Sequence, residues 1–199
     1  MVIFECRNTV ENKMPRLFSY VVDHDHGFAP NPCDGLCTLA KCKFGSNGWK
    51  NIIELAKEGD WIVGTGGANL KKSAGRGKLV YAMIVNEKKT LAEYCLSYGQ
   101  KRIDAGSEKN DDGRFALMSR HFFYFGRNAI QIPKRFEGIE KKGPGFRSKF
   151  SDKLICDFVN WLEMNFTGGV HGAPCMPDPD IRIILKGSKP RVIEGECNS

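Results

Sequence analysis

What the chain lacks narrows its class before anything it contains. In its 199 residues no apolar run approaches the roughly 18 that a membrane helix requires, and the longest, Leu79–Val85, is of strand length. The opening stretch MVIFECRNTVENK carries acids and polar groups where an export signal needs a basic start and an apolar core. Neither sign of charge dominates: 30 Lys and Arg face 23 Asp and Glu, a net of +7. That excess permits a polyanionic partner without demanding one. A hydrophobic share of 41% with 27% charged residues excludes a long disordered chain. The 8 cysteines are spread through apolar segments, which argues against a disulfide scaffold and for buried thiols in a reducing, cytoplasmic setting. One domain is expected at this length.

The familiar nucleotide loops are also missing. The stretch GTGGANLKKSAGRG, residues 64–77, is rich in glycine and lysine. A phosphate-binding loop of the Walker kind needs Gly-x4-Gly-Lys-Ser/Thr ahead of a helix. Here Gly77-Lys78 is followed by Leu79, and Lys72 stands where the first glycine belongs. The dinucleotide pattern fails because Asn69 occupies the third glycine's place. Two readings stay open: a flexible hairpin loop, or a loop whose small residues let backbone N–H groups approach an anion, helped by Lys71, Lys72 and Arg76. Cys33, Cys37 and Cys42 have spacings unlike a zinc knuckle, and no second cysteine pair exists, so buried thiols are favoured over metal. No metal and no cofactor are expected.

What is present reads as strands joined by hairpin-like loops, with helices inserted. Residues 1–13 form an extension, either a short strand (Val2–Cys6) or a matter of start-site choice, since Met14 opens a natural start followed by the strand Leu17–Val22. The domain then runs over 14–186 and ends in a polar tail, 187–199. DHDHGFAPNPCDG, residues 23–35, has an ordered-loop composition. A helix is predicted at Lys50–Lys57 with Gly59 as its stop, a strand at Asp60–Val63, a second at Lys78–Val85, and a short helix at 90–96. Residues 99–114 read as a surface loop and Phe115–Phe125 as one strand buried on both faces. A helix over Asp152–Phe166, capped by Ser151, and a last strand at Ile181–Lys186 complete the chain. The fold class is α+β in a single domain: a curved, mainly antiparallel sheet or open β-barrel with flanking helices.

Several groups could carry chemistry. Asp23, His24, Asp25 and His26 offer carboxylates and imidazoles, but on extended backbone the two kinds point to opposite sides. A turn in which Asp caps backbone N–H groups is therefore favoured over acid–base work. RHFFYFG, residues 120–126, combines a cation, an imidazole and four rings. Half of those rings must face the core. The others could stack on a base, at about 1–3 kcal/mol each. Cys37 becomes a nucleophile only with a base such as His121 beside it.

Taken in order, SYVVDHDHGFAPNP, CTLAKCK, GDWIVGTG, GKLVYAMIV and HFFYFGRNAIQIP resemble the nucleotide modification associated domain 2 family, from about Leu17 to His171. The matching positions include Asp25, Phe28, Asn31, Cys37, Cys42, Lys43, Trp61, Gly64, Thr65, Gly66 and Tyr124. Phe44 stands where the family pattern has proline, and Cys33 where it has a bulky aromatic. GDWIVGTG with its following strand is also similar to EVE, ASCH and other PUA-like modules, which implies a small curved barrel holding a base.

The family resemblance implies a bacterial or phage setting and a partner that is a nucleotide or modified base, free or within DNA or RNA, with no membrane. One reading is a binding module whose pocket is lined by Phe28, Trp61, Tyr124 and the backbone of Gly64, Thr65 and Gly66. Asp25 and Asn31 would then read base edges, and Lys43, Lys71, Lys72 and Arg76 would hold phosphate. A second is an enzyme of modified-nucleotide metabolism, a transferase or hydrolase, using Cys37, Asp25 and His121. A third is a phage protein that sequesters a nucleotide signal of host immunity.

Overall fold

Two sheets face each other across the main core, and a helix closes each outer side. The computed structural model describes residues 14–46, 48–99, 102, 104, 105 and 114–176. The elements are β1 (Leu17–Val22), β2 (Asn31–Cys33), β3 (Leu36–Leu39), α1 (Ile52–Leu55), β4 (Trp61–Gly66), β5 (Lys78–Ile84), β6 (Glu87–Thr90), α2 (Leu91–Tyr98), β7 (Phe115–Ser119), β8 (Phe122–Tyr124), β9 (Ile130–Gln131), β10 (Phe146–Arg147), α3 (Asp152–Asn165) and β11 (Gly169–Val170). The larger sheet has the order β10-β1-β4-β5-β8-β11, with β9 also on β5, and the smaller the order β2-β3-β7-β6. The fold is α+β. Among the described residues the smaller sheet is wholly antiparallel, the larger is mixed because β1–β4 and β8–β11 are parallel, and neither closes into a barrel. No described helix is long and apolar enough to cross a membrane.

Alternation along the strands sets the layers. Leu17, Trp61, Val63, Leu79, Phe123 and Phe125 meet Ile155, Phe158, Val159 and Leu162 of α3 on one face of the larger sheet. Those four helix residues form the i, i+3, i+4, i+7 stripe that the sequence predicts for this segment, each contributing about 1.5–3 kcal/mol on burial. Ser151 Oγ accepts the Leu154 N–H at 3.3 Å, as its capping role requires. Phe18, Tyr20, Ile62, Tyr81, Met83 and Tyr124 occupy the opposite face against Cys37, Leu39 and Leu117 of the smaller sheet. Beyond that sheet, α2 packs Leu91 and Tyr94 on Leu36, Ala116 and Met118.

Local chemistry moves several predicted boundaries. The helix at Lys50–Lys57 shrinks to α1, where Asn51 and Glu54 form a capping box and Lys88 Nζ donates to the carbonyls of Glu54 and Ala56 at 2.9 Å each. The strand at Asp60–Val63 extends to Gly66, because glycine alone fits there: a Cβ on Gly64 would lie 2.3 Å from Tyr81 Cε1, and one on Gly66 2.0 Å from the Gly75 carbonyl oxygen. The single strand expected at Phe115–Phe125 is two strands in different sheets, β7 and β8, broken where the Arg120 N–H turns to Asn86 Oδ1 at 2.7 Å. The predicted surface loop at 99–114 is corrected at Arg102, Asp104 and Ala105, which are buried. The extension, the Ile181–Lys186 strand and the tail lie outside the described residues.

Candidate functional site

The sheet directions create one distinctive edge. β1 and β4 run parallel, β5 runs antiparallel to both β4 and β8, and β8 runs parallel to β11, so β1, β4, β8 and β11 all point the same way. Their carboxyl ends release the loops 23–30, 67–77, 125–129 and 171–176 at a common rim. Carboxyl ends of strands are the usual place for a ligand site on an open sheet, because loops converge there on a rigid base.

Asp25 fastens that rim. It is buried, and Tyr124 Oη donates to its Oδ1 at 2.6 Å while the Cys175 N–H donates to its Oδ2 at 3.0 Å. Its own N–H donates to the Lys72 carbonyl at 2.9 Å, and its carbonyl accepts the Met176 N–H at 2.9 Å. One residue thus joins three loops to β8. Gly126 seats the fourth: its φ is +53°, and a Cβ there would come within 2.2 Å of the Ala173 carbonyl oxygen. Burial and the adjoining Asp25 raise the Tyr124 hydroxyl well above its ordinary pKa. The same two causes push the Cys175 thiol up to about 12, although Arg127 and Lys78 are close enough to pull it down. Behind the rim, Tyr20 and Tyr81 join hydroxyls at 2.8 Å, and Lys43 Nζ stands 4.5 Å from the Tyr20 ring centre. Burial lifts Cys42 beside them to about 12.

A cavity of about 370 Å³ opens on the same rim, lined by Gly77, Gln131, Ile132, Pro133, Lys134, Glu137 and Glu140. It is built on Gly77, whose N–H donates to Glu140 Oε1 at 2.8 Å and whose carbonyl accepts the Ile132 N–H at 2.8 Å and Gln131 Nε2 at 3.0 Å. The volume falls in the range of small-ligand sites, about 300–1,000 Å³. Lys134, in its lining, is exposed; on the rim loops Lys71, Arg76 and Arg127 are exposed, with Lys72 and Lys78 half-buried, and Asp23 is the exposed acid of the 23–30 loop.

Against known families, the model described as nucleotide modification associated domain 2 matches residues 14–106 and 97–178. The chain belongs to the nucleotide modification associated domain 2 family. No match is found among curated proteins, and none among solved structures. The family's description associates this domain with nucleotide modification.

In this member of the family the predicted pocket residues separate. Trp61 is buried on the α3 face of the larger sheet, while Tyr124 is buried on the other face, so the two rings do not line one cleft. Gly64, Thr65 and Gly66 are the last three residues of β4 and paired to β1, with Gly64 and Thr65 also paired to β5; Thr65 Oγ1 donates to the Tyr20 carbonyl at 3.2 Å. Their backbone is engaged in strand pairing. Asn31 is buried too, and its Nδ2 donates to Asp104 Oδ1 at 2.8 Å. Phe28 is half-buried in the 23–30 loop, and Lys71, Lys72 and Arg76 do reach the rim.

The proposed chemical groups do not meet either. Cys37 lies in β3, in the core between the sheets. His121 stands at the start of β8 on the α3 side, hydrogen-bonded to Glu163 and edge-on to Trp61 at 6.1 Å between ring centres. Asp25 bonds to Tyr124 on the far face of the same sheet.

Sequence reasoning missed the network behind Asn31. Arg102 donates from Nη2 to the Asn31 carbonyl at 2.7 Å and from Nη1 to the Cys33 carbonyl at 2.6 Å, and Nε lies 3.5 Å from Asp104. Asp104 also accepts from Thr38 and, at 2.9 Å, from Tyr94 Oη. Burial alone would lower the Arg102 pKa, but Asp104 and Tyr94 more than offset it, so the net shift is upward. Nothing in a polar run such as 99–114 signals that two of its charges turn inward.

Proposed function

We propose that this domain is a binding module for a modified base or nucleotide, taken either free or within a nucleic acid. The observation that carries the reading is the rim itself: three loops joined by a buried carboxylate and a fourth seated through Gly126, a cavity of about 370 Å³ at Gly77 with exposed Lys134 in its lining, and exposed Lys71 and Arg76 on the loop that carries Gly77. A heterocycle enters the cavity, where Gln131 has amide groups left to meet a base edge and Ile132 and Pro133 supply apolar contact. Phosphate is met by the surrounding cations. The heterocycle site therefore shifts from the Trp61–Tyr124 cleft expected from the sequence to the Gly77–Gln131 cavity.

Binding is favoured over catalysis by a thiol at the rim or behind it by the state of Cys175 and Cys42. Cys175 and Cys42, each pushed to about 12, stay protonated at neutral pH and are poor nucleophiles. Asp25 is occupied by Tyr124 and Cys175, and its role is to hold loops.

A thermal-shift screen of free nucleotides, cyclic dinucleotides and modified oligonucleotides tests the reading. A ligand at 100 times its Kd adds about 2.7 kcal/mol of stability, so a true ligand raises Tm clearly. Arg76→Ala and Gln131→Ala should each shrink that rise. A shift confined to free small nucleotides favours a sequestering role. No shift with any class, or turnover that Cys37→Ala abolishes in a folded variant, overturns the proposal.

A further inference from the structure

Away from the rim loops, a second basic surface lies along the β10 edge. We infer that the segment Lys134–Lys153, folded along the β10 edge of the larger sheet, is a contact surface for the phosphate backbone of a polynucleotide. The inference rests on the rim being a nucleotide site and extends that site to a polymer.

The segment holds 7 Lys and Arg against 3 Asp and Glu, so these 20 residues carry +4 of the chain's +7. Among the described residues Lys134, Arg135, Lys141, Arg147 and Lys149 have no carboxylate partner. Lys142 reaches Glu140 only at 3.9 Å and keeps 72% of its side chain exposed. Cations placed this way, unneutralised and in water, are what a phosphate backbone recruits by releasing its own counterions.

The geometry holds them on one ribbon. β10 pairs with β1 through Ser19↔Arg147 and Tyr20↔Phe146, which fixes the segment to the sheet edge. Arg147 Nη1 donates to the Gly138 carbonyl at 2.8 Å, folding the strand back onto the 134–139 turn, and its guanidinium sits 5.3 Å from the Phe150 ring centre. Arg135 sits likewise over Phe136, at 4.8 Å. Each guanidinium is supported by a ring, with most of its five N–H donors left for another partner. Between them, Gly143 and Gly145 have φ of +79° and +78°, and open space stands where a Cβ would be. A bare backbone of that kind lets a phosphate approach closely.

The ribbon also continues the rim. The Glu140 carboxylate that accepts the Gly77 N–H ties it to the loop carrying Lys71, Lys72 and Arg76. A strand of nucleic acid lying along the ribbon would therefore bring one nucleotide to the cavity. Charge on an edge strand can also serve only to prevent sheet-to-sheet association. The two roles differ in what they bind.

The test uses the full chain and fluorescence anisotropy with short labelled oligonucleotides: single-stranded DNA, duplex DNA and single-stranded RNA. Wild type is compared with the triple variant Lys142→Ala, Arg147→Ala, Lys149→Ala, and with Arg147→Glu, Lys149→Glu. All these positions are exposed, and an unchanged Tm verifies folding. Between about 50 and 200 mM salt, log Kobs of wild type should fall linearly, and the triple variant should lose about 0.7–0.9 of slope for each phosphate contact removed. At low salt we expect at least a tenfold loss in affinity, and a deeper loss on charge reversal.

Equal affinity and equal slope in the triple variant overturn the inference. So does binding that only Lys71→Ala, Arg76→Ala weakens, or binding to anionic phospholipid vesicles with none to any oligonucleotide. A wild type that gains Tm with free nucleotides but ignores every oligonucleotide sinks this inference and leaves the rim reading standing. One that responds to neither sinks both.

Discussion

Gly64 and the thiols of Cys42 and Cys175 are where single atoms matter most. Its neighbours leave Gly64 no room for a side chain: a Cβ would sit 2.3 Å from Tyr81 Cε1 and 2.6 Å from Val22 Cγ2. Gly64→Ala should therefore cost about 1–3 kcal/mol through overpacking, read as a lower urea midpoint with an unchanged m-value. Gly138→Ala, where nothing lies within 4 Å, is the control, and equal losses at both positions would contradict the account.

The thiols give a second prediction. Cys42 and Cys175 titrate near 12 in the folded chain against about 8.5 unfolded, so folding favours their protonated form. Their contribution to stability is complete below about pH 8.5 and is lost as pH rises toward their folded values. Alkylation with iodoacetamide at about pH 8, followed site by site by mass spectrometry, should be on the order of a thousandfold slower folded than in denaturant. Similar rates in both states would refute it.

Individual elements differ in how plainly they are written in the chain. α3 was legible because its apolar stripe, its Ser151 cap and its length all agree. β1 and β5 were legible as apolar runs bounded by polar turns. Phe115–Phe125 was not, since Phe115–Ser119 and Phe122–Tyr124 are both apolar and only the Asn86 contact at Arg120 divides them. The same limit applies to the site. Lys71, Lys72 and Arg76 could be placed on a loop by composition, but strand register decides which face an aromatic takes. Trp61 and Tyr124 differ by that register alone.

Asp104 is the extreme case, a charge in a polar run that ends fully buried. Asp104→Ala would leave the Arg102 guanidinium without its carboxylate and remove the oxygens that accept from Asn31, Thr38 and Tyr94. The expected loss is about 3–5 kcal/mol in guanidinium denaturation. A loss under about 1 kcal/mol would mean that the network is unimportant to the β2–α2 junction.

At the scale of the molecule, two sheets stacked between α2 and α3 leave one edge where loops gather, and that edge bears Lys71, Lys72, Arg76 and Arg127. The scaffold is rigid where strands are interior, while the rim is assembled from loops. The bond that finishes it, from the Cys175 N–H to Asp25, spans 150 positions of sequence. Long-range closures are entropically slow and form late. During synthesis, then, the chain must emerge past Cys175 before this clasp can engage, and a nascent chain that stops short of Cys175 carries a complete β1–β4–β5 sheet with its loop-bearing edge still unlatched.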